Sequence, residues 1–287
     1  MPAGGAPAVP RPPALPPMPL PAPARLVAPA HWRAIDFLSD LHLSEQMPAT
    51  FAAFETHLRR TPADAVFILG DLFELWVGDD ARDEPFARRC VDAMRAAAGR
   101  LQLAVMGGNR DFLMGAELLA DCGASALPDP TLLEAFGRRV LLSHGDALCL
   151  ADTAYQQFRR QVRDPAWLAA FLARPLADRL ALAREIRRAS DTRRQFDGDG
   201  SADVDTEAAS TLLRDAGATV LVHGHTHRPG SDRWPGGLGR HVLTDWDLEP
   251  GPTPMPMPAP TGEARAPRAG VLRLDASGFT RLPPARD

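Results

Sequence analysis

The chain has 287 residues, 45% of them apolar, and a formal charge of −4. That composition supports a sizeable core, and the charge gives no electrostatic reason to expect nucleic acid as a partner. All 32 basic residues are arginine, which excludes Schiff-base lysine chemistry and a P-loop lysine.

Residues 1–30 are dominated by Pro and Ala and are expected to form a disordered or extended tail. The tail lacks a basic start followed by an apolar core, so no secretory signal is expected. Over 31–150, short apolar runs WRAIDFLS, DAVFILG, LQLAVMGG and RRVLLSHG read as strands, most of them ending at Gly, Asp or His. Helices are predicted between them at roughly 48–60, 84–99 and 115–122. In the second, Phe86, Cys90, Met94 and Ala97 recur at helical spacing. This alternation indicates an α/β fold with its chemistry at strand C-termini.

Residues 151–200 break the alternation and are almost wholly helical in character. Pro165 and Pro175 divide them into two or three short helices. The segment reads as a helical cap inserted into the α/β body. The acidic return after it contains Asp-Gly-Asp-Gly but lacks EF-hand spacing. The body resumes over 201–250 with ATVLVHG and HVLTDW. A second Pro-rich, flexible segment is predicted over 251–270, and a final strand with a turn at Ser277-Gly278 over 271–287. Cys90, Cys122 and Cys149 are odd in number and lack CxxC spacing, so they read as reduced thiols of a cytosolic protein. No apolar run approaches the roughly 18 residues of a membrane span.

Seven metal-capable side chains occur in order, each just after a strand-like run. They are Asp40 and His42 in FLSDLHL, Asp71 in VFILGD, Asn109 in LAVMGGNRD, His144 in VLLSHGD, and His225 and His227 in VLVHGHTHRP. Singly, each has a bland reading as a helix cap, a turn residue or a core histidine. Oxygen and imidazole donors delivered together from several strand ends describe a two-metal hydrolytic site. His31, His57, His223 and His241 lack that context; His223 is expected to have a supporting or structural duty.

Asp-x-His, Gly-Asp, Gly-Asn-x-Asp, His-Gly-Asp and Gly-His-x-His, in this order, resemble the calcineurin-like metallophosphoesterase superfamily. ILGDLFELWVGDD (68–80), GGNRDFLMG (107–115), FGRRVLLSHGDALC (136–149), AYQQFR (154–159) and HGHTHRP (223–229) are similar to one family within it, the UDP-2,3-diacylglucosamine diphosphatases of lipid A biosynthesis. Arg110 stands where most of the superfamily carries histidine, and this family carries arginine there.

The resemblance implies a four-layer αββα sandwich and two Mn²⁺ per chain. Asp40, His42, Asp71 and His227 would hold one ion, and Asp71, Asn109, His144 and His225 the other. It implies hydrolysis of the acylated UDP-sugar to UMP and 2,3-diacylglucosamine 1-phosphate by attack of metal-activated water on the α-phosphorus. Asp71, Asn109 and Arg110 are the implied catalytic residues, and Asn109, Arg110, Asp152, Ser190, Arg194 and His225 the implied substrate contacts. The family's cap lysine has no counterpart here. Counting from Ser190 places Asp197 near it, and Arg193 or Arg194 is the alternative. Trp167, Phe171 and Leu172 either line an apolar groove for the acyl chains or pack the cap's own core. The expected setting is a monomer, cytoplasmic and peripheral on the anionic inner-membrane surface, with no nucleic-acid partner. A second reading is a metallophosphoesterase acting on another nucleotide diphosphate or a phosphodiester.

Overall fold

The computed structural model describes residues 20–197, 202–250 and 267–286; for 189–197 it describes the backbone alone. Two six-stranded sheets carry the fold. One runs β12-β11-β2-β3-β4-β5, from β2 (Ala34–Leu38), β3 (Ala65–Leu69), β4 (Gln102–Met106), β5 (Ala124–Ala126), β11 (Val271–Asp275) and β12 (Gly278–Leu282). The other runs β1-β6-β7-β8-β10-β9, from β1 (Ala24–Val27), β6 (Thr131–Ala135), β7 (Arg138–Leu142), β8 (Val220–His223), β9 (Gly230–Trp234) and β10 (Leu238–Val242).

Side-chain alternation along the strands builds the layers. Ile35, Phe37, Phe67, Leu69, Ala104 and Met106 point into one core between the sheets, where they meet Leu133, Val140, Leu142 and Val222. Leu38, Val66, Ile68, Leu103 and Val105 point the other way. They pack beneath α1 (Pro48–Arg60), α2 (Pro85–Ala98) and α3 (Ala116–Cys122), against residues such as Phe54, Cys90 and Met94. Across the second sheet, Leu132, Leu141 and Leu221 pack with Ala209 and Leu213 of α7 (Thr206–Asp215). The order is therefore helix, sheet, sheet, helix, as the family resemblance implied. All three cysteines are buried free thiols.

β2, β3, β4 and β5 are parallel neighbours, and so are β7 and β8. Parallel strands bring their C-terminal ends to one edge of each sheet. The loops after β2, β3 and β4 in one sheet thus face those after β7 and β8 in the other.

Between β7 and β8 lie α4 (Thr153–Val162), α5 (Pro165–Leu172) and α6 (Leu176–Asp197). Pro165 opens α5 at its N1 position and Asp164 caps it, accepting from the Ala166 and Trp167 amides. α6 is longer than the short helices expected, at 22 residues. The fully buried Asp146 holds α4 down: it accepts from Tyr155 Oη at 2.5 Å and Arg159 Nε at 2.8 Å. Arg179 of α6 pairs with Asp80 and donates to the Val77 carbonyl. No helix among the described residues is long and apolar enough to cross a membrane.

The strand reading needs corrections. The predicted tail ends in β1, which pairs parallel with β6 from Ala24↔Thr131 to Val27↔Glu134, so residues 24–27 belong to the sheet; 1–19 lie outside the described residues. TLLEA is β6, hairpinned to β7 through Phe136 and Gly137 at φ 51° and 72°. A two-residue turn with both φ positive normally uses Asn-Gly or Asp-Gly, so Phe-Gly concealed it. The final strand is two, β11 and β12, joined by a tight turn at Ala276 and Ser277. Most of the second Pro-rich segment, 251–266, lies outside the described residues. Arg268 just after it forms a bridge with Asp247.

Asp36 on β2 is fully buried opposite Arg273 on β11 and takes two bonds from its guanidinium, at 2.7 and 2.8 Å, plus one from Thr61 Oγ1 at 2.5 Å. Burial pushes its pKa up, but Arg273, His57 and Thr61 outweigh that and hold it at about 2, against an ordinary 3.8. A depressed carboxylate stabilises the fold above its unfolded value, and that stability is lost as pH falls through the folded value. The span corresponds to about 2 kcal/mol. In urea unfolding between about pH 5 and pH 2, Asp36→Asn is expected to lose less stability than wild type, and to be the weaker protein at the upper pH.

Candidate metal centre

Five of the seven motif residues have backbone in the left-handed region: Asp40 (φ 53°), His42 (48°), Asp71 (54°), His225 (65°) and His227 (52°). Such conformations cost about 1–3 kcal/mol each and persist where surrounding structure over-determines them. Here they turn each side chain from the end of its strand into the cleft between the two sheets. Two glycines make the closure possible. A Cβ on Gly108 would overlap Asp71 Oδ1, and one on Gly224 would overlap Asp40 Oδ2.

The side chains form two groups about one carboxylate. In the first, His42 Nε2 lies 3.3 Å from His227 Nε2, which lies 3.4 Å from Asp40 Oδ1. In the second, the Asn109 side-chain amide lies 3.0 Å from His144 Nε2 and 2.8 Å from His225 Nδ1. Asp71 stands between them: Oδ2 is 4.0 Å from His42 Nε2, and Oδ1 is 3.7 Å from His144 Nε2. Donor atoms of Asp40, His42 and His227 all lie within 4.8 Å of one another, as do those of Asp40, Asp71 and His144.

The separations of 2.8–3.4 Å within each group fit divalent cations, while Asp71 stands farther off, at 3.7 and 4.0 Å. Two ligands at about 2.1 Å from one ion, subtending roughly 90–110°, stand about 3.0–3.4 Å apart. The orientation of His144 fits as well: Nδ1 donates to the Leu69 carbonyl at 2.9 Å, so Nε2 is the nitrogen that faces Asn109 and would be the one offered to a cation that displaces its proton. Burial pushes the His144 pKa down, yet Asp71, Asp146 and Asp40 raise it to about 9. Burial raises Asp40, but His227, His144 and His42 hold it well below the carboxylate range. His225 is pushed well down by burial and by His144. The cleft is a buried carboxylate field that favours added positive charge.

A calcineurin-like phosphoesterase family model matches residues 34–229. The chain belongs to that family. Its similarity to curated relatives extends over most of its length. It is 49% identical over 259 residues to the UDP-2,3-diacylglucosamine hydrolase of Chromobacterium violaceum, covering 87% of this chain and 98% of that one. The same-named protein of Ralstonia nicotianae is 46% identical over 226 residues, 74% of this chain and 84% of its own. That of Bordetella pertussis is 41% identical over 255 residues, 84% of this chain and 91% of its own. A phosphoesterase domain of this family implies divalent-metal binding.

The remaining expected site residues are placed as follows. Arg110, only 9% exposed, rests against Glu74 at 3.4 Å and Asp71 Oδ2 at 3.9 Å, and its amide donates to Asp71 Oδ1 at 2.9 Å. Asp152 is the N-cap of α4, accepting from the Tyr155 amide. Ser190, Arg193, Arg194 and Asp197 ride on the last turns of α6, and their side chains lie outside the described residues. Phe171 is buried in the helix-side core with residues of the α/β body and stacks on Trp167 at 4.9 Å, so it joins the cap to the body; Leu172 is 44% exposed. His223 is buried, accepts from Arg240 Nε at 2.9 Å, and is pushed down to about 4 by burial and Arg240.

Sequence reasoning missed the carboxylates behind the candidate ligands. Asp111, the final residue of Gly-Asn-x-Asp, accepts from the amides of Gly108 (2.7 Å), Asp71 (3.3 Å) and Phe73 (3.1 Å), and so folds the β3 and β4 loops about Asp71. Burial and the Asp71 charge push it up to about 7. Asp245 lies 3.4 Å from His227 Nδ1, and Glu74 lies 3.1 Å from His42 Nδ1. The available signal was the acid one to three residues beyond a ligand, as at Asp111 and Glu74. Gly108→Ala is expected to preserve the circular dichroism spectrum and lower affinity for Mn²⁺ by about 10-fold or more, read by calorimetry.

Proposed function

We propose that this chain hydrolyses the diphosphate bond of UDP-2,3-diacylglucosamine, giving UMP and 2,3-diacylglucosamine 1-phosphate in lipid A biosynthesis. The observation that carries the reading is the Asp71 carboxylate, with one oxygen turned to each histidine pair and Arg110 beside it. The relatives' shared name supports the substrate. Two Mn²⁺ are the proposed cofactors, with Asp40, His42, Asp71 and His227 around one, Asp71, Asn109, His144 and His225 around the other. When bound, such a pair acidifies water and neutralises charge on phosphoryl oxygens.

The chain's own residues do the rest. Water oxygen bonds to the α-phosphorus while the bond to the bridging oxygen breaks. The bridging oxygen leaves with the acylated sugar phosphate, and the water oxygen stays in UMP. Asn109 and Arg110 position the diphosphate. The guanidinium offers two parallel N–H donors to phosphate oxygens, and its charge is permanent, so it clamps rather than donates a proton. His225 touches the same phosphate, and Asp152, Ser190 and Arg194 are proposed contacts from the cap. The enzyme works as a monomer on the cytoplasmic face of the inner membrane, peripherally held at its anionic surface, where the acylated substrate resides.

The test is UMP release from the acylated UDP-sugar with Mn²⁺ present and after chelation. Wild type is expected to turn over only with metal and, in ¹⁸O-water, to place the label in UMP. Asp71→Ala is expected to release no UMP above the enzyme-free rate, and Arg110→Ala to lose about 10²–10³-fold in kcat. A metal-replete wild type that cleaves a simple phosphodiester but not this substrate would move the assignment to another phosphoester.

A further inference from the structure

The Glu74 carboxylate lies where three parts of the molecule meet. Beyond the sheet, the loops after β2 and β3 continue as a short ladder. His42 N donates to Asp71 O at 3.0 Å, Leu43 N to Leu72 O at 2.9 Å, and Glu74 N to Leu43 O at 3.1 Å. Backbone bonds alone therefore fix Glu74 beside His42. Its Oε2 is 3.1 Å from His42 Nδ1, within ion-pair distance but off hydrogen-bond alignment, and both atoms are buried. Its Oε1 is 2.9 Å from Arg187 Nε on α6 and 3.4 Å from Arg110 Nη1. One carboxylate thus touches a candidate metal ligand, the candidate phosphate clamp and the cap.

An imidazole that presents one nitrogen to a cation carries its proton on the other, and that N–H is normally held by an acceptor which sets the ring's orientation. For His144 the acceptor is the Leu69 carbonyl, and His227 Nδ1 faces Asp245. Glu74 is the carboxylate that faces this nitrogen of His42, at ion-pair distance, while His42 Nε2 points at His227. It differs from the other two supports in its second oxygen, which is engaged by an arginine of the inserted helices. A carboxylate is rigid and planar, so the seating of Arg187 fixes the rotation of the oxygen that faces His42.

We infer that Glu74 is a positioning residue that couples the seating of the cap to the metal centre, orienting His42 through Oε2 while Oε1 receives Arg187. The inference rests on the reading of His42 as a metal ligand. It predicts that a cap residue without a place in the ligand set tunes metal affinity.

The test is Mn²⁺ binding to the full chain by calorimetry, without UDP-sugar, with folding checked by circular dichroism. Glu74→Ala is expected to weaken Mn²⁺ binding about 10- to 100-fold. Arg187→Ala is expected to weaken it about 3- to 10-fold. Glu74→Gln keeps an acceptor for His42 but loses the ion pair, so it should match Arg187→Ala. The double variant Glu74→Gln/Arg187→Ala should bind no more weakly than either single, because both changes cut the same link. This pair and its double decide the matter even if Glu74→Ala does not fold. Wild-type Mn²⁺ affinity in Arg187→Ala and Glu74→Gln, with only the melting temperature lowered, would reduce Glu74 to a cap anchor and overturn the inference. Effects that multiply in the double variant would overturn it too. A wild type that binds Mn²⁺ but releases no UMP defeats the substrate assignment alone; one that binds no Mn²⁺ defeats both.

Discussion

The centre depends on one carboxylate held between two sheets. Asp71 leaves the end of β3 in a left-handed conformation and reaches the His42 side with one oxygen and the His144 side with the other. It can do so because the inner core, Phe37 and Phe67 against Val140 and Leu142, sets the gap between the two strand edges. A close-packed interior fixes that distance to within a side chain's tolerance. Crowding Asp40, Asp71 and Asp111 with little solvent is unfavourable by itself. The imidazoles, the Arg110 amide and the loop amides offset part of that cost, and divalent cations suit the remainder.

Behind the ligands lies a set of acids, each joining a ligand or its loop to another part of the fold. Asp111 gathers the β3 and β4 loops, Asp245 faces His227, and Asp146, two residues after His144, holds the first cap helix through Tyr155 and Arg159. Tyr155 in turn lies over His225, with ring centres 5.7 Å apart. The inserted helices are therefore bound to the centre through buried polar contacts as well as through the apolar packing of Phe171. Such buried polar contacts favour one seating of the helices over others.

The ordered run of Asp40, His42, Asp71, Asn109, His144, His225 and His227 was legible because these candidate ligands follow five short apolar strand runs, each ending in Gly or a polar residue. The helices over α1 to α3 were legible from apolar spacing at period 3.6. Strands β1, β5, β6 and β9 were not. β1 and β9 lie at sheet edges, β5 is three residues long, and β6 ends in a Phe-Gly turn. Their existence is decided by partners distant in sequence, so local patterning carries little of it.

The candidate donors, the α/β alternation and the arginine-rich insertion are all properties of residue type and short-range spacing, and so could be read from the chain alone. The closed fold alone brings His42 to His227 and Asn109 to His144, packs Phe171 inward, and sets Glu74 between His42 and Arg187. Those facts depend on two sheets closing on one core, and contacts between residues a hundred positions apart leave no periodic trace in the chain.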